Sequence, residues 1–157
     1  QKVTQEYGRI DILVNNAATN PSMASAMDID DRAWDSIMNL NLKGLFFLSQ
    51  AVAKIMKEKG GGKIINIASI AGITPDILPV YSISKAGVIM ATKVMAQQWA
   101  PFKIRVNTVA PGLTKTKFSQ PLWGNPDILN IAMSRTPLGR PADSPEKGPV
   151  ISAGTLK

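Results

Sequence analysis

Three short apolar runs, separated by longer amphipathic stretches, set the pattern of the chain. Residues 10–14, 64–68 and 104–110 are apolar and rich in β-branched residues, which predicts three buried strands. Between them, apolar positions recur at helical spacing over 29–59 and 80–100, which predicts two long helices. Because strand, helix, strand, helix, strand is the order of right-handed parallel crossovers, we expect an α/β fold with a doubly wound parallel sheet.

Glycines and acidic residues mark where these elements begin and end. Residues 1–7 resemble the end of a helix that Gly8 terminates, and the glycine run 60–62 is expected to end the first long helix. Asp28 is predicted to be the N-cap of that helix, with Asp31 in its first turn.

The apolar residues of the two long helices are predicted to form the core. Those of the first helix are Trp34, Ile37, Met38, Leu42, Leu45, Phe46, Val52, Ile55 and Met56, and those of the second are Val88, Ile89, Val94, Met95 and Trp99.

The stretch after the third strand has a different pattern. Residues 121–134 are predicted to form one short amphipathic helix over the strand ends. Glycine and proline become frequent after residue 140, and no strand pattern returns. We therefore expect one domain over 1–140 and an irregular tail over 141–157 that is exposed or partly disordered.

Small and polar residues follow all three predicted strands. They are Asn15 to Ala18, Ser69, and Pro111-Gly112. Parallel sheets of this kind bind ligands beyond the carboxyl ends of their strands, so this edge is the candidate site.

Composition narrows the chemistry. The 157 residues include no cysteine, which excludes disulfides, thiol catalysis and cysteine-ligated zinc. They include no histidine, which excludes Ser-His-Asp hydrolysis and most transition-metal sites, so we expect no metal. Tyrosine, lysine and carboxylates remain for proton transfer.

The net charge of +7 has three explanations: a nucleic-acid surface, a phosphate-bearing cofactor, or solubilising charge. The basic residues are scattered, so we expect no nucleic-acid partner. With no apolar run of about 18 residues and no charged-then-apolar leader, we also expect no membrane association and a cytoplasmic location. Because the chain starts at Gln1, an upstream targeting segment stays open.

Tyr81 and Lys85 are the candidate chemical pair. Four positions apart on a helix, they lie on one face. Free tyrosine ionises near pH ~10, and a cation at about 4 Å is worth ~3 pKa units at an effective dielectric of about 20, which would make a phenolate accessible. The alternative is that Tyr81 is an aromatic at a helix start and Lys85 a solvated charge. Ser69, twelve residues upstream, is a candidate to act together with this pair. Its alternative role is that of a serine that caps a turn.

Four motifs follow one another at family spacing: Asn15-Asn16-Ala17-Ala18, then Asn41-Leu42-Lys43-Gly44, then Ser69 with Tyr81 and Lys85, and finally Pro111-Gly112 with Thr116. On these residues the chain, from about 1 to 141, resembles a short-chain dehydrogenase/reductase (SDR). Residues 16–21 and 118–123 resemble the carbonyl- and retinal-reductase branch of that family.

The resemblance implies roles for four residues. Tyr81 would be the general acid/base that protonates a substrate carbonyl oxygen as hydride arrives from a nicotinamide. Lys85 would lower the Tyr81 pKa and bind the nicotinamide ribose, while Ser69 would hold the carbonyl oxygen. Asn41 would anchor a water that leads to Lys85. The alternative is that Asn41 is a buried amide whose hydrogen bonds are satisfied within the protein. The neighbouring Asn39 is a decoy that could be mistaken for the family residue.

The resemblance also implies a cofactor, NAD or NADP. Asn15 and Ala17 would line its adenosine side, mostly through their backbone. Pro111-Gly112 would let the backbone approach the nicotinamide, and Thr114 and Thr116 would bind its carboxamide. Tyr81 and Lys85 would complete the cofactor site.

Two departures from the family pattern bear on function. The TGxxxGxG turn that holds the cofactor pyrophosphate would precede Gln1, and Ala18 stands where the family has glycine. The resemblance thus implies a partial Rossmann-like, three-layer αβα fold without its N-terminal βαβ half and its last helix and strand. The implied function is alcohol–carbonyl interconversion on a small molecule, with a dimer or tetramer as the intact protein. The alternative is an incompetent fragment that cannot hold its cofactor.

Overall fold

Three parallel strands form the centre of the structure. The computed structural model describes residues 2–143 and the backbone of Val150–Ala153. The strands β1 (Ile12–Asn15), β2 (Gly62–Ile67) and β3 (Ile104–Pro111) pair in that order, each in parallel with the next. Neighbouring parallel strands require crossover connections between them, and both crossovers here are helical. The predicted α/β fold is confirmed.

Six α-helices belong to the described part of the chain: α1 (Lys2–Tyr7), α2 (Asp31–Met38), α3 (Leu45–Glu58), α4 (Pro79–Trp99), α5 (Gln120–Trp123) and α6 (Pro126–Ser134). Gly8 ends α1 with a φ of +71°, which a residue without a side chain adopts at little cost. Within residues 2–143, no helix combines the length and the hydrophobicity that a bilayer-spanning segment needs.

The first long helix begins two residues later than predicted. Asp30, not Asp28, is its N-cap, and the Asp30 carboxylate accepts a hydrogen bond from the Ala33 amide at 2.7 Å. Asp28 instead accepts a hydrogen bond from the Ser25 hydroxyl. Both aspartates suit an N-cap, so composition alone did not distinguish them.

A π-helical turn, Asn39–Gly44, interrupts the same helix between α2 and α3. Asn41 lies in this turn and is 1% exposed. Its side-chain oxygen accepts the Thr19 amide at 2.8 Å, and its amide nitrogen donates to the Thr19 carbonyl at 3.0 Å and to the Ser84 hydroxyl at 3.1 Å. The turn therefore joins the loop after β1 to α4.

The core lies where α3 and α4 pack on the sheet. Its most buried apolar residues are Val52, Ala53, Met56, Ile64, Ala68, Val88, Met95, Ile104, Val106 and Ala110. Trp34 and Val94 were predicted to join them, but each is 39% exposed. Their helical period is correct, and they lie at the edge of the apolar face.

Two glycines set how closely α4 approaches its neighbours. A Cβ on Gly87 would come within 2.7 Å of the Leu42 side chain, and a Cβ on Gly72 within 2.6 Å of the Lys85 backbone. Real Cβ atoms do not approach so closely, so a side chain at position 72 would push the backbone of α4 away, and one at position 87 would force the Leu42 side chain to shift. The position of α4 matters because it carries Tyr81 and Lys85.

A buried chain of polar side chains ties the sheet to both helices. The Asn15 amide donates to the Ser49 hydroxyl and to the Asn66 side-chain oxygen, both at 2.8 Å. The Asn66 amide in turn donates to the Thr92 hydroxyl at 2.9 Å. Every contact joins a different pair of elements, so the network helps to set the register of sheet against helices.

The chain after β3 departs from the prediction in two ways. Residues 121–134 form two helices, because Gly124 ends α5 and Asn125 caps α6 by accepting the Asp127 and Ile128 amides.

The tail also contains a strand. β4 (Val150–Ala153) pairs antiparallel with β3, and Ala142, which is buried, bridges to Thr114. The prediction of an irregular tail is therefore wrong at Val150–Ala153, and the prediction of an exposed tail is wrong at Ala142. For 144–149 and 154–157 it lies outside the described residues, and the division of the chain at residue 140 stays a prediction.

Asn41→Ala should lower the free energy of unfolding by about 1–3 kcal/mol, because it removes the partner of two half-buried Thr19 backbone groups and one of the two hydrogen bonds of Ser84. Asn39→Ala is the matched control, since Asn39 is exposed two positions away in the same turn, and should cost under about 0.5 kcal/mol. Urea unfolding of the two variants measures the difference; equal losses would contradict the role given to Asn41.

Candidate active site

A cavity of about 820 Å³ opens at the carboxyl ends of β1, β2 and β3. Residues from all three strand ends, from the start of α4 and from α6 line it. Eight of the predicted site residues are among them: Ala17, Ser69, Tyr81, Lys85, Pro111, Gly112, Thr114 and Thr116. The edge of the sheet that the sequence indicated is therefore a cavity.

Tyr81 lies in the first turn of α4, which Pro79 begins. Its ring is tilted by 44° against the ring of Phe118, with 6.0 Å between centroids. Burial raises the pKa of the Tyr81 phenol, and the charge of Asp76 raises it further, while a side-chain hydrogen bond with Ser69 opposes both effects. The phenol is therefore held in its protonated form at neutral pH.

Lys85 lies one helical turn after Tyr81 and is only 3% exposed. Its ammonium donates a 2.7 Å hydrogen bond to the Ile67 carbonyl, the last of β2, and lies 5.5 Å from the centroid of the Tyr81 ring. Burial lowers the pKa of Lys85 from 10.5 to about 8.

The expected lowering of the Tyr81 pKa by Lys85 is wrong for this structure. The two residues share one helical face, as predicted, but the Lys85 ammonium is directed to a strand carbonyl. Burial then decides the direction of the Tyr81 pKa, because desolvation disfavours a charged phenolate.

Ser69 follows β2 directly and has two contacts. Its hydroxyl caps the short 3₁₀ turn Ile70–Gly72 by accepting the Ala71 amide at 3.1 Å, and it also hydrogen-bonds the Tyr81 side chain. A hydroxyl has one donor and two acceptor positions, so both contacts are compatible. Ser69 can therefore cap the turn and contact Tyr81 in the site at the same time.

Asn41 does not line the cavity but supports it from behind. Its contacts with Thr19 and Ser84 match the alternative of a satisfied buried amide. Its role as a water anchor stays a prediction. Ser84, which accepts from Asn41 and donates to the Tyr81 carbonyl at 2.7 Å, links it to the tyrosine.

Sequence reasoning missed Ser84. The available signal was a serine in a helix interior, three positions after Tyr81, where serine is a poor helix former unless its hydroxyl has a partner.

The strand-end residues divide between the cavity and the core. Asn16, Ala17 and Ala18 line the cavity, whereas the Asn15 side chain lies in the buried network and is not among the described lining residues. A cofactor contact through the Asn15 backbone stays a prediction.

The loop after β3 is tied together by its own hydrogen bonds. The Thr116 amide donates to the Ser119 hydroxyl at 3.1 Å, the Ser119 hydroxyl also contacts the Thr114 carbonyl, and the indole of Trp123 donates to the Thr116 carbonyl at 3.1 Å. The Thr116 hydroxyl lies 3.1 Å from that of Ser119. Thr114 and Thr116 therefore form a preorganised wall of the cavity.

Further residues line the cavity that the sequence analysis did not assign to the site. Among them are Asp76, Phe118, Leu122, Ile128, Ile131 and Arg135. The predicted helix over the strand ends was the available signal for those on α5 and α6. Within residues 2–143, no group of three or more potential metal-ligating side chains lies together.

A model of the short chain dehydrogenase family matches residues 1–127. The chain belongs to the short-chain dehydrogenase/reductase family. The resemblance read from the four motifs is thereby confirmed, and so is the Rossmann-like class of the fold, since SDR structures superimpose on it.

Two curated SDR relatives and one solved structure illustrate the similarity. The chain is 41% identical over 155 residues to 2-dehydro-3-deoxy-D-gluconate 5-dehydrogenase of Escherichia coli, covering 96% of the chain and 60% of the relative. It is 40% identical over 139 residues to dehydrogenase/reductase SDR family member 4 of mouse, covering 85% and 50%. A gluconate 5-dehydrogenase from Burkholderia cenocepacia, solved with NADP and tartrate, superimposes with a TM-score of 0.85 at 35% identity, covering 90% and 56%. The chain thus spans between half and three fifths of these SDR proteins.

Lys85→Met should change how stability depends on pH. Between pH about 8 and 10.5 the unfolded chain binds the Lys85 proton more tightly than the folded one, so Lys85 makes stability rise with pH in that window, by roughly 3 kcal/mol in all. Methionine has no proton to bind, and the rise should disappear. Urea unfolding at a series of pH values measures it.

Lys93→Met, at an exposed position of the same helix, controls for the loss of a lysine side chain. If Lys85→Met and the unmodified chain give parallel stability curves from pH about 7 to 10.5, Lys85 is not buried as described.

Proposed function

We propose that the protein is an NAD(P)-dependent oxidoreductase that interconverts an alcohol and a ketone or aldehyde. The observation that supports this most is the meeting of Ser69, Tyr81 and Lys85 in one cavity at the carboxyl edge of a parallel sheet. The relatives at about 40% identity are named dehydrogenases. Because the chain spans only part of their length, the activity of the whole protein is a proposal.

The cavity residues fit a nicotinamide cofactor. The cavity is continuous from residues 16–18 to 114–116, and its volume of about 820 Å³ lies in the range of small-molecule sites. Lys85 uses one N–H on Ile67, which leaves two donors for ribose hydroxyls. Ala17 would border the adenosine side, and Gly112 with the Thr114–Thr116 wall the nicotinamide side. The bound cofactor would supply or accept the hydride.

The residues of the chain would manage the proton. In the reducing direction the Tyr81 phenol donates its proton to the carbonyl oxygen, and its raised pKa keeps that proton available at neutral pH. Ser69, already hydrogen-bonded to the phenol, would hold the same carbonyl oxygen. In the oxidising direction Tyr81 must first be a phenolate before it can accept the proton of the alcohol, and burial and the charge of Asp76 disfavour the phenolate until the solution is alkaline.

Tyr81→Phe should abolish turnover without weakening cofactor binding. To test it, residues 1–140 replace the matching segment of the E. coli relative, and the graft is assayed for ketone reduction with NADPH and NADH. Loss of the acid group should lower kcat by about 10²–10⁴-fold, because that is the usual contribution of a positioned general acid. NADPH affinity, measured by fluorescence titration, should change little.

Tyr7→Phe is the matched control, since Tyr7 is the other tyrosine and lies exposed on α1. If the Tyr81 variant keeps most of its rate, the acid/base role is wrong. The 157-residue chain in the same titration tests the alternative of an incompetent fragment: that hypothesis expects weak NADPH binding by the chain and normal binding by the graft.

A further inference from the structure

We propose that Arg135 binds a carboxylate of the substrate, so that the protein acts on alcohols or carbonyl compounds that carry an acid group. This inference rests on the proposed function, because it concerns the same cavity.

α6 directs one face into the cavity, and that face ends in a cation. Ile128, Ile131 and Ala132 line the cavity at helical spacing, and Arg135 and Thr136 continue the same stripe at the C-terminal end. With Leu122 of α5, this wall is apolar until it reaches Arg135. A ligand that lies along α6 would contact apolar surface and, at the C-terminal end of the helix, a guanidinium.

Arg135 is held at the cavity but is not neutralised. Its guanidinium donates a 3.2 Å hydrogen bond to the Pro75 carbonyl, and Pro75 lines the cavity as well. Within the described residues, this is its one hydrogen bond, and it takes part in no ion pair. A guanidinium has five N–H donors in a planar fork that matches a carboxylate, so most of its donors remain for a ligand.

Asp76 limits where in the cavity a substrate acid group can lie. It lines the cavity, and its charge reaches Tyr81, whose pKa it raises. One Asp76 carboxylate oxygen accepts its neighbour's amide, that of Ile77, at 2.7 Å. A substrate carboxylate adjacent to the reacting carbonyl would be repelled by Asp76, whereas one that reaches Arg135 meets an opposite charge.

Binding to the 157-residue chain tests the proposal without turnover. The probes are methyl-ketone acids of increasing length, from 4-oxopentanoate to 7-oxooctanoate, each paired with its uncharged primary amide. Isothermal titration at low and high salt gives their affinities. At least one acid should bind about tenfold more tightly than its amide, as a charge-assisted contact provides, and salt should weaken the preference.

Arg135→Ala should remove the preference for the acid while leaving amide binding unchanged, and Arg135→Lys should restore part of it. Arg105→Ala is the matched control, because Arg105 is exposed at the opposite end of the sheet on β3. Acids and amides that bind alike, or do not bind, would overturn the proposal, and so would a preference that survives Arg135→Ala.

The outcome is separable from that of the proposed function. If the chain prefers acids through Arg135 but the graft reduces no ketone, the anion site is supported and the oxidoreductase function is rejected. If the graft reduces ketones but the chain shows no preference for acids, the oxidoreductase function is supported and the anion site is rejected.

Discussion

Two contacts between the end of β2 and the start of α4 hold the whole site in place. The Ile67 carbonyl accepts the Lys85 ammonium, and Ser69, two residues further, hydrogen-bonds the Tyr81 side chain. Two residues of extended chain cover about 6.6 Å, and four residues of helix cover about 6 Å. The distance along the strand from Ile67 to Ser69 thus matches the distance along the helix from Lys85 to Tyr81. This match allows one strand end to position a phenol and an amine together.

The match depends on how closely α4 approaches the strand. Gly72 permits the contact with the backbone of Lys85, and Gly87 permits the contact with the π-helical turn. Behind that turn, Asn41 holds the loop after β1 and, through Ser84, the first turn of α4. Burying Lys85 without an ion pair among the described residues costs stability, and this packing offsets the cost.

Much of this arrangement could be predicted from the sequence. The strands and long helices follow from apolar periodicity, and the gathering of small and polar residues at strand ends located the cavity. The π-helical turn could not be predicted in this way, because six residues with shifted hydrogen bonds keep the same apolar pattern. β4 was missed for a related reason: four residues in a stretch rich in glycine and proline carry too weak an alternation.

The electrostatics could not be predicted, because they depend on tertiary burial. Sequence spacing placed Lys85 beside Tyr81 and suggested a lowered phenol pKa, yet the fold directs the ammonium to Ile67 and buries the phenol. Arg135 was missed because a single arginine after a helix usually means a solvated side chain. Its significance appears only when α6 is seen to line the cavity.

A titration of Tyr81 tests most directly whether the end of β2 and the start of α4 form one buried site. In a Tyr7→Phe background it is the one remaining tyrosine of the chain, so its ionisation can be followed by ultraviolet absorbance. We expect a pKa of Tyr81 above 10.0 that rises further in Ser69→Ala, because burial raises the pKa and the Ser69 hydrogen bond lowers it. A pKa below 10.0, or one that Ser69→Ala leaves unchanged, would contradict the claim that the strand end and the helix start form one buried site.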